Sequence, residues 1–269
     1  MSIVVSSGNY LSRLADVLWA GGAGTICAWV MRDTDSGLKE GVLSLELAAT
    51  NYTLRISTAD RWLPFGSGYG EGTVFGPNPV ATAAWYYVAF RKLASANMTF
   101  MELTDGGTTF ASTSTLTTGG GLSNLAVDEI FIGRDNNQPL DFAGKFHFVK
   151  VWSGVSLSDA DLLTEREYRN VQTNSANTFG AWWTTTTAAA FLTDRTGNAN
   201  DLTATGTPTF NSATPTAVLG DDPGGASSTA KIRRRRDFMS YATLAAPALE
   251  VFGRIFQRSQ SGLMLPVGV

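Results

Sequence analysis

Between residues 26 and 152 the sequence changes character at every second position. In "GVLSLELA", Leu43, Leu45 and Leu47 alternate with Ser44 and Glu46; in "NYTLRIS", Tyr52, Leu54 and Ile56 alternate with Thr53, Arg55 and Ser57. "WYYVAFR" (85–91) and "NMTFMEL" (97–103) repeat the habit with more aromatic residues. Side chains that alternate with a period of two point to opposite faces of a strand, so each stretch predicts a half-buried β-strand. Turn-forming runs separate them: "RDTDSG", "PFGSGYGEG", "GPNP", "TDGG", "TTGGG" and "GRDNNQP". Short strands at this spacing predict an all-β fold, a two-sheet antiparallel sandwich.

One helix interrupts the pattern. In "LSDADLLTEREYRNV" (157–171), Ser158 suits an N-cap, Asp161 stands at the third helical position, and Leu157 and Leu162 take the positions of a hydrophobic staple. The spacing predicts a short helix over about 158–171. Residues 1–219 then read as one β domain, and "GDDPGGASST" makes 220–230 a linker. Residues 231–269 read as a basic and apolar extension, helical on either side of Pro247.

Charge separates the two parts. Residues 231–258 hold seven Lys and Arg against Asp237 and Glu250, a net +5 in a chain whose total is −3, so the remainder carries −8. The run Arg233, Arg234, Arg235 and Arg236 supplies charge without base-reading geometry, which argues against sequence-specific nucleic-acid recognition. Phe238, Tyr241, Leu244, Leu249, Val251, Phe252 and Phe256 supply apolar area for a partner. The N-terminal stretch, with Arg13 and Asp16 inside it, does not read as a signal peptide, and no run of ~18 apolar residues predicts a spanning helix.

Candidate chemistry is sparse. Cys27, the single cysteine, lies in the apolar run "TICAWV" and reads as a buried, inert thiol. His147, the single histidine, lies in "GKFHFVKVW" (144–152). Alternation places Phe146, Phe148, Lys150 and Trp152 on one face and Lys145, His147, Val149 and Val151 on the other. A strand position accounts for the histidine without catalysis or zinc, which would require further ligands.

Three stretches in order carry a resemblance: "WYYVAFRK" (85–92), "DEIFIGRDNNQPLDFAGKFHFVKVWSGVSLSDADL" (128–162) and "AWWTTTTAAAFLTDRTGNANDLTATG" (181–206). Together they resemble the laminin G-like, concanavalin A-like jelly-roll superfamily, over roughly residues 1–215. The resemblance implies a jelly roll and a choice among lectins, adhesion modules, glucanases and phage structural proteins. Relatives that are glucanases carry Glu-x-Asp on one strand; no glutamate here has an aspartate two residues later, so no enzyme is expected. Relatives that hold calcium do so at a loop rim, which makes Asp33, Asp35, Asp135 and Asp194 candidate ligands, although turn formation also accounts for them. No other cofactor is expected. Trp62 and Tyr69 in "RWLPFGSGYG" are the candidate aromatic platform for a sugar ring.

The acidic body with its basic tail looks like a virion component of a tailed bacteriophage: a decoration, minor capsid or fibre protein. The jelly roll would face outward, and the tail would dock on other subunits of a homo-oligomer or larger assembly. The alternatives are a free, calcium-dependent lectin module and a divergent glycan hydrolase.

Overall fold

A computed structural model describes residues 1–218 apart from 15–22, 48–49, 67–69, 77–78, 93–96, 111, 118–128, 168–178, 185–189 and 197. The chain divides into Met1–Pro223 and Gly224–Val269. The linker and the tail residues named above lie outside the described residues, as does Tyr69.

The strands are β1 (Ser2–Val5), β2 (Tyr10–Arg13), β3 (Gly24–Arg32), β4 (Glu40–Leu47), β5 (Thr50–Ile56), β6 (Trp62–Gly66), β7 (Gly70–Glu71), β8 (Trp85–Lys92) and β9 (Asn97–Thr104). They continue with β10 (Ser112–Thr117), β11 (Glu129–Ile132), β12 (Arg134–Asp135), β13 (Leu140–Asp141) and β14 (Gly144–Ser153). Helix α1 (Asp159–Glu165) precedes β15 (Phe179–Thr184), β16 (Thr203–Thr205) and β17 (Thr209–Asn211). One antiparallel sheet runs β10-β9-β8-β3-β14-β1-β17, with β15 also on β14; the other runs β16-β2-β11-β4-β5-β6-β7. The predicted two-sheet sandwich is therefore the observed architecture.

Alternation decides which side chains lie between the sheets. Leu43, Leu45, Tyr52, Leu54 and Ile56 enter the inter-sheet core with Val88, Phe90, Phe100, Ile130 and Ile132. Their partners Ser44, Thr53 and Arg55 are on the opposite face, as the period of two requires. Each large apolar side chain so buried contributes about 1.5–3 kcal/mol, enough to fix register.

The eight-stranded sheet is apolar on both faces. Cys27, Trp29, Met31, Tyr87, Phe148 and Trp152 form a second cluster on its outer side, covered by Leu157 and Leu162. Those two leucines are the staple pair, and Ser158 and Asp161 complete a reciprocal capping box. The helix is shorter than the sequence predicts. It ends at Glu165 with Arg166 as C-cap, whose carbonyl accepts from Trp29 Nε1 at 2.9 Å. Residues 168–171 of the predicted span lie outside the described residues.

The β14–β3 register departs from strict alternation. Phe146 pairs with Val30 and Val149 with Ala28, so three steps along β14 match two along β3. The extra residue is a β-bulge. It sends Phe146 into the inter-sheet core with Val149 and Val151, while Phe148 and Trp152 belong to the outer cluster. Phe146 and Phe148 therefore do not share a face.

His147 is fully buried at this bulge. Its Nδ1 lies 2.7 Å from the Met1 carbonyl, and its ring meets Trp85 edge-on with centroids 6.3 Å apart.

Candidate functional site

The open outer face of the seven-stranded sheet is set by β16, β2, β11 and β4. Leu11, Ile130 and Ile132 point inward, so Tyr10, Ser12, Glu129 and Phe131 must point outward. Ser12 stands opposite both Phe131 and Thr203, and Tyr10 stands opposite Thr205. The rings of Tyr10 and Phe131 lie 6.1 Å apart at 48°, and the Arg134 guanidinium carbon sits 4.7 Å from the Tyr10 ring centre. A groove of about 640 Å³ opens over them, rimmed by Arg13, Glu129, Asn136, Asp201 and Thr203.

The wall beside this groove is the β12–β13 hairpin, folded down onto the sheet. Gly41 makes that possible. A Cβ there would overlap the Asp135 backbone nitrogen and the Leu140 carbonyl. Gly133, at φ 87°, turns the chain into the hairpin. Asp135 then reaches the sheet face, where its Oδ2 accepts from Arg55 Nε at 2.6 Å and its Oδ1 from Asn51 Nδ2 at 3.1 Å.

Beneath Asn136, Glu46 stands directly opposite Glu129 in the β4–β11 pairing. Glu46 is 5% exposed, with Oε1 accepting from Ser44 Oγ at 3.1 Å and Oε2 from Asn136 Nδ2 at 3.3 Å. Burial raises its pKa above the ordinary 4.5, and the neighbouring charges of Glu129 and Asp135 add to the shift.

The four candidate calcium ligands are not brought together. Asp135 is fully buried against Arg55. Asp33 pairs with Lys145, and Asp35 accepts from Arg32 Nη2 and the Gly37 N–H, both at 2.8 Å. Asp194 closes its own loop, accepting from Thr196 Oγ1 at 2.7 Å and the Asn200 N–H at 3.1 Å. Three of the four carboxylates are thus paired with a protein cation. Among the described residues no group of three or more His, Cys, Asp or Glu side chains converges.

Trp62 is also placed differently from the expectation. It begins β6 rather than a loop, is 1% exposed, and packs edge-on to Tyr86 at 5.7 Å within the inter-sheet core. A ring held between two sheets presents no face to a sugar. Phe65, on the opposite side of β6, lies under the Arg55 guanidinium at 3.5 Å. Tyr10, beside Phe131, is an aromatic residue that does border an open groove. The signal for it was available only as weak alternation in "NYLSR", without a partner strand.

Chemically the groove offers a half-buried aromatic ring beside carboxylates, an amide and hydroxyls. Such a surface suits a ligand with one apolar face and many hydroxyl groups. A sequence profile of the concanavalin A-like lectin/glucanases superfamily matches residues 6–163. No curated protein matches the sequence.

Among solved structures, a Bacteroides ovatus protein named for carbohydrate binding superposes with a TM-score of 0.52 at 18% identity, over 79% of this chain and 60% of its own. A heptameric pentraxin of Limulus polyphemus gives 0.46 at 13% identity over 61% and 79%. Part of the mouse laminin alpha1 chain gives 0.42 at 15% over 60% and 43%. At these identities the likeness is one of fold.

Proposed function

The chain belongs to the concanavalin A-like lectin/glucanases superfamily, and from that premise we propose that it is a carbohydrate-binding protein whose ligand lies in the groove beside Tyr10. The observation that carries this reading is the outward row of β2 and β11, which sets Tyr10 and Phe131 among Ser12, Glu129, Asn136 and Asp201. Tyr10 stacks on a pyranose ring, and the rim groups bond its hydroxyls.

The reading is of binding without catalysis. Paired-carboxylate hydrolysis requires two carboxyl groups flanking the scissile bond. Glu46 lies under Asn136 with both oxygens engaged, and Asp201, the carboxylate that shares the rim with Glu129, has its Oδ1 held by the Asp194 N–H at 2.8 Å. Glycan-array screening of the full-length protein, followed by calorimetry, is expected to yield a saturable oligosaccharide ligand and no release of reducing sugar. Tyr10→Ala and Asp201→Asn should each weaken binding about tenfold, or ~1.4 kcal/mol. An array without a binder, or variants of unchanged affinity, would overturn the reading.

A second reading concerns the assembly in which the domain works. The +5 segment 231–258 on a body of −8 supports a virion role, with the tail as tether and the jelly roll outward. In this reading Arg233–Arg236 steer docking and the tail's aromatic residues are buried against another subunit. Deleting residues 221–269 should leave a folded, glycan-competent domain that is no longer incorporated into particles. Normal incorporation of the truncated protein would end this reading and leave the first intact.

A further inference from the structure

At the far end of the sandwich from the staple helix's contacts, Arg32 is 2% exposed and surrounded by carboxylates. Its Nε and Nη2 donate to Glu40 Oε1 at 3.2 and 2.7 Å, its Nη1 to Asp60 Oδ1 at 2.8 Å, and its Nη2 also to Asp35 Oδ1 at 2.8 Å. Ser36 adds its N–H at 3.3 Å and its hydroxyl at 2.8 Å to the same Glu40 Oε1. Arg32 Nε and Nη2 and both Ser36 donors converge on one oxygen of Glu40. The other, Oε2, is buried without a hydrogen-bond partner. A buried carboxylate oxygen left unmatched is uncommon and calls for a donor.

Glu40 lines a cleft of about 620 Å³ bounded by Ser36, Leu38 and Lys39 on one side and by Pro139, Leu140 and Asp141 on the other. Asp141 repeats the pattern. Its Oδ2 accepts from Ser7 Oγ at 3.1 Å and the Gly8 N–H at 3.0 Å, while Oδ1 has no hydrogen bond and only the Arg134 guanidinium at 3.7 Å. Lys39, the cation on the rim, is paired with Glu71. Leu38, Pro139, Leu140 and Phe142 supply apolar wall alongside the hydroxyls of Thr34 and Thr58, and Leu38 is 67% exposed.

We infer that this cleft binds a cationic head on an aliphatic stem, the chemistry of a lysine or arginine side chain presented by a peptide. The two unmatched atoms, Glu40 Oε2 and Asp141 Oδ1, are acceptors only. An ammonium or guanidinium is a donor only, whereas a sugar hydroxyl also brings an acceptor that Glu40 and Asp141 cannot match. Carboxylates exceed cations around the cleft, so the head meets a favourable potential, and the stem covers Leu38, Pro139 and Leu140. A bare metal ion would make no use of those walls. The site is separate from the Tyr10 groove and does not depend on it.

The test titrates the full-length protein with N-acetyl-lysine methylamide and with its neutral isostere N-acetyl-norleucine methylamide, read by amide chemical shifts. The lysine derivative should give saturable shifts confined to residues 34–40 and 139–143. The norleucine derivative should bind about tenfold more weakly or not at all, reflecting the lost charge-assisted bonds. Glu40→Gln also disturbs Arg32, so the informative variants are Asp141→Asn and Leu38→Ser, which leave that network in place. Each should weaken the lysine derivative several-fold without altering the thermal midpoint. Equal affinity for the two derivatives, shifts elsewhere on the surface, or wild-type affinity in both variants would overturn the inference.

Discussion

Glu46 and Glu129 face each other directly across the β4–β11 ladder, two like charges at one cross-strand position. Such a pair opposes folding by roughly 0.2–1 kcal/mol, and the pKa of Glu46 is raised above 4.5, first by burial and then by the carboxylates of Glu129 and Asp135. The raised value means that the folded state holds the proton more tightly than the unfolded chain. Stability contributed at low pH is therefore lost as pH rises from 4.5 through the folded value, and stays lost above it. Glu46→Gln should raise the urea midpoint at pH 7.5 and leave it nearly unchanged at pH 4. A gain of the same size at both pH values would exclude charge as the cause.

The β12–β13 hairpin lies on the sheet because Gly41 has no side chain. Gly41→Ala places a methyl group against the Asp135 nitrogen and the Leu140 carbonyl, both backbone atoms that cannot move aside alone. The hairpin must lift, separating Asp135 from Arg55 and Asn136 from Glu46. Breaking a buried ion pair costs about 3–5 kcal/mol when one charge is left alone. We expect a loss of at least ~2 kcal/mol in chemical denaturation, together with weakened glycan binding, because Asn136 belongs to the groove wall.

Most of the sandwich was legible because alternation is a local property. Leu43, Leu45, Tyr52, Leu54 and Ile56 entered the core as their spacing requires. The bulge at His147–Phe148 was not legible, since it depends on β3 supplying one residue fewer across the ladder. The groove was hidden for a similar reason. Tyr10 and Phe131 meet only when strands some 120 residues apart pair, and neither strand is rich in ligand-like residues. Trp62 misled because an aromatic residue before a glycine-rich turn resembles a loop platform, whereas pairing of Trp62 with Ile56 draws it inside. The calcium candidates shared a composition with metal loops. Three of them pair with protein cations, Asp35 with the nearby Arg32, Asp135 with Arg55 and Asp33 with Lys145, the last two being pairs between residues distant in sequence.

That pairing of carboxylates with side-chain cations has a measurable consequence. If Asp135 and Asp33 are already neutralised by Arg55 and Lys145, added calcium finds no open carboxylate there. Thermal melts in excess calcium and in excess chelator should coincide, and glycan binding should survive chelation. A calcium-induced rise of several degrees would show a site assembled from other groups.

Lys150 and Glu165 form a fully buried ion pair between β14 and α1, with Nζ 2.9 Å from Oε2 and 3.1 Å from the Glu165 carbonyl. Burial lowers the Lys150 pKa, and Glu165 offsets only part of that. Glu165→Ala leaves an ammonium without its counter-charge, and a cost of about 3–5 kcal/mol is expected. The double variant Lys150→Met, Glu165→Leu replaces both charges with apolar volume and should recover most of the loss. A double variant as unstable as the single one would mean that the helix is held by shape rather than by the pair.

Cys27 lies beside this pair, fully buried, and burial pushes its pKa from 9.0 up to about 12. The Lys150 ammonium acts in the opposite direction with smaller effect. Between those two pH values the folded state keeps a proton that the unfolded chain releases, so stability must fall as pH rises above 9.0. One such group contributes a slope of up to ~1.4 kcal/mol per pH unit. Cys27→Ala removes it, and the variant should lose less stability than the wild type between pH 9 and pH 11, even if it starts lower because of the smaller side chain. In the native protein a thiol reagent at pH 8 should react at the rate of unfolding, accelerating with denaturant. Rapid, denaturant-independent labelling would place the sulfur at the surface and remove the basis for the alkaline slope.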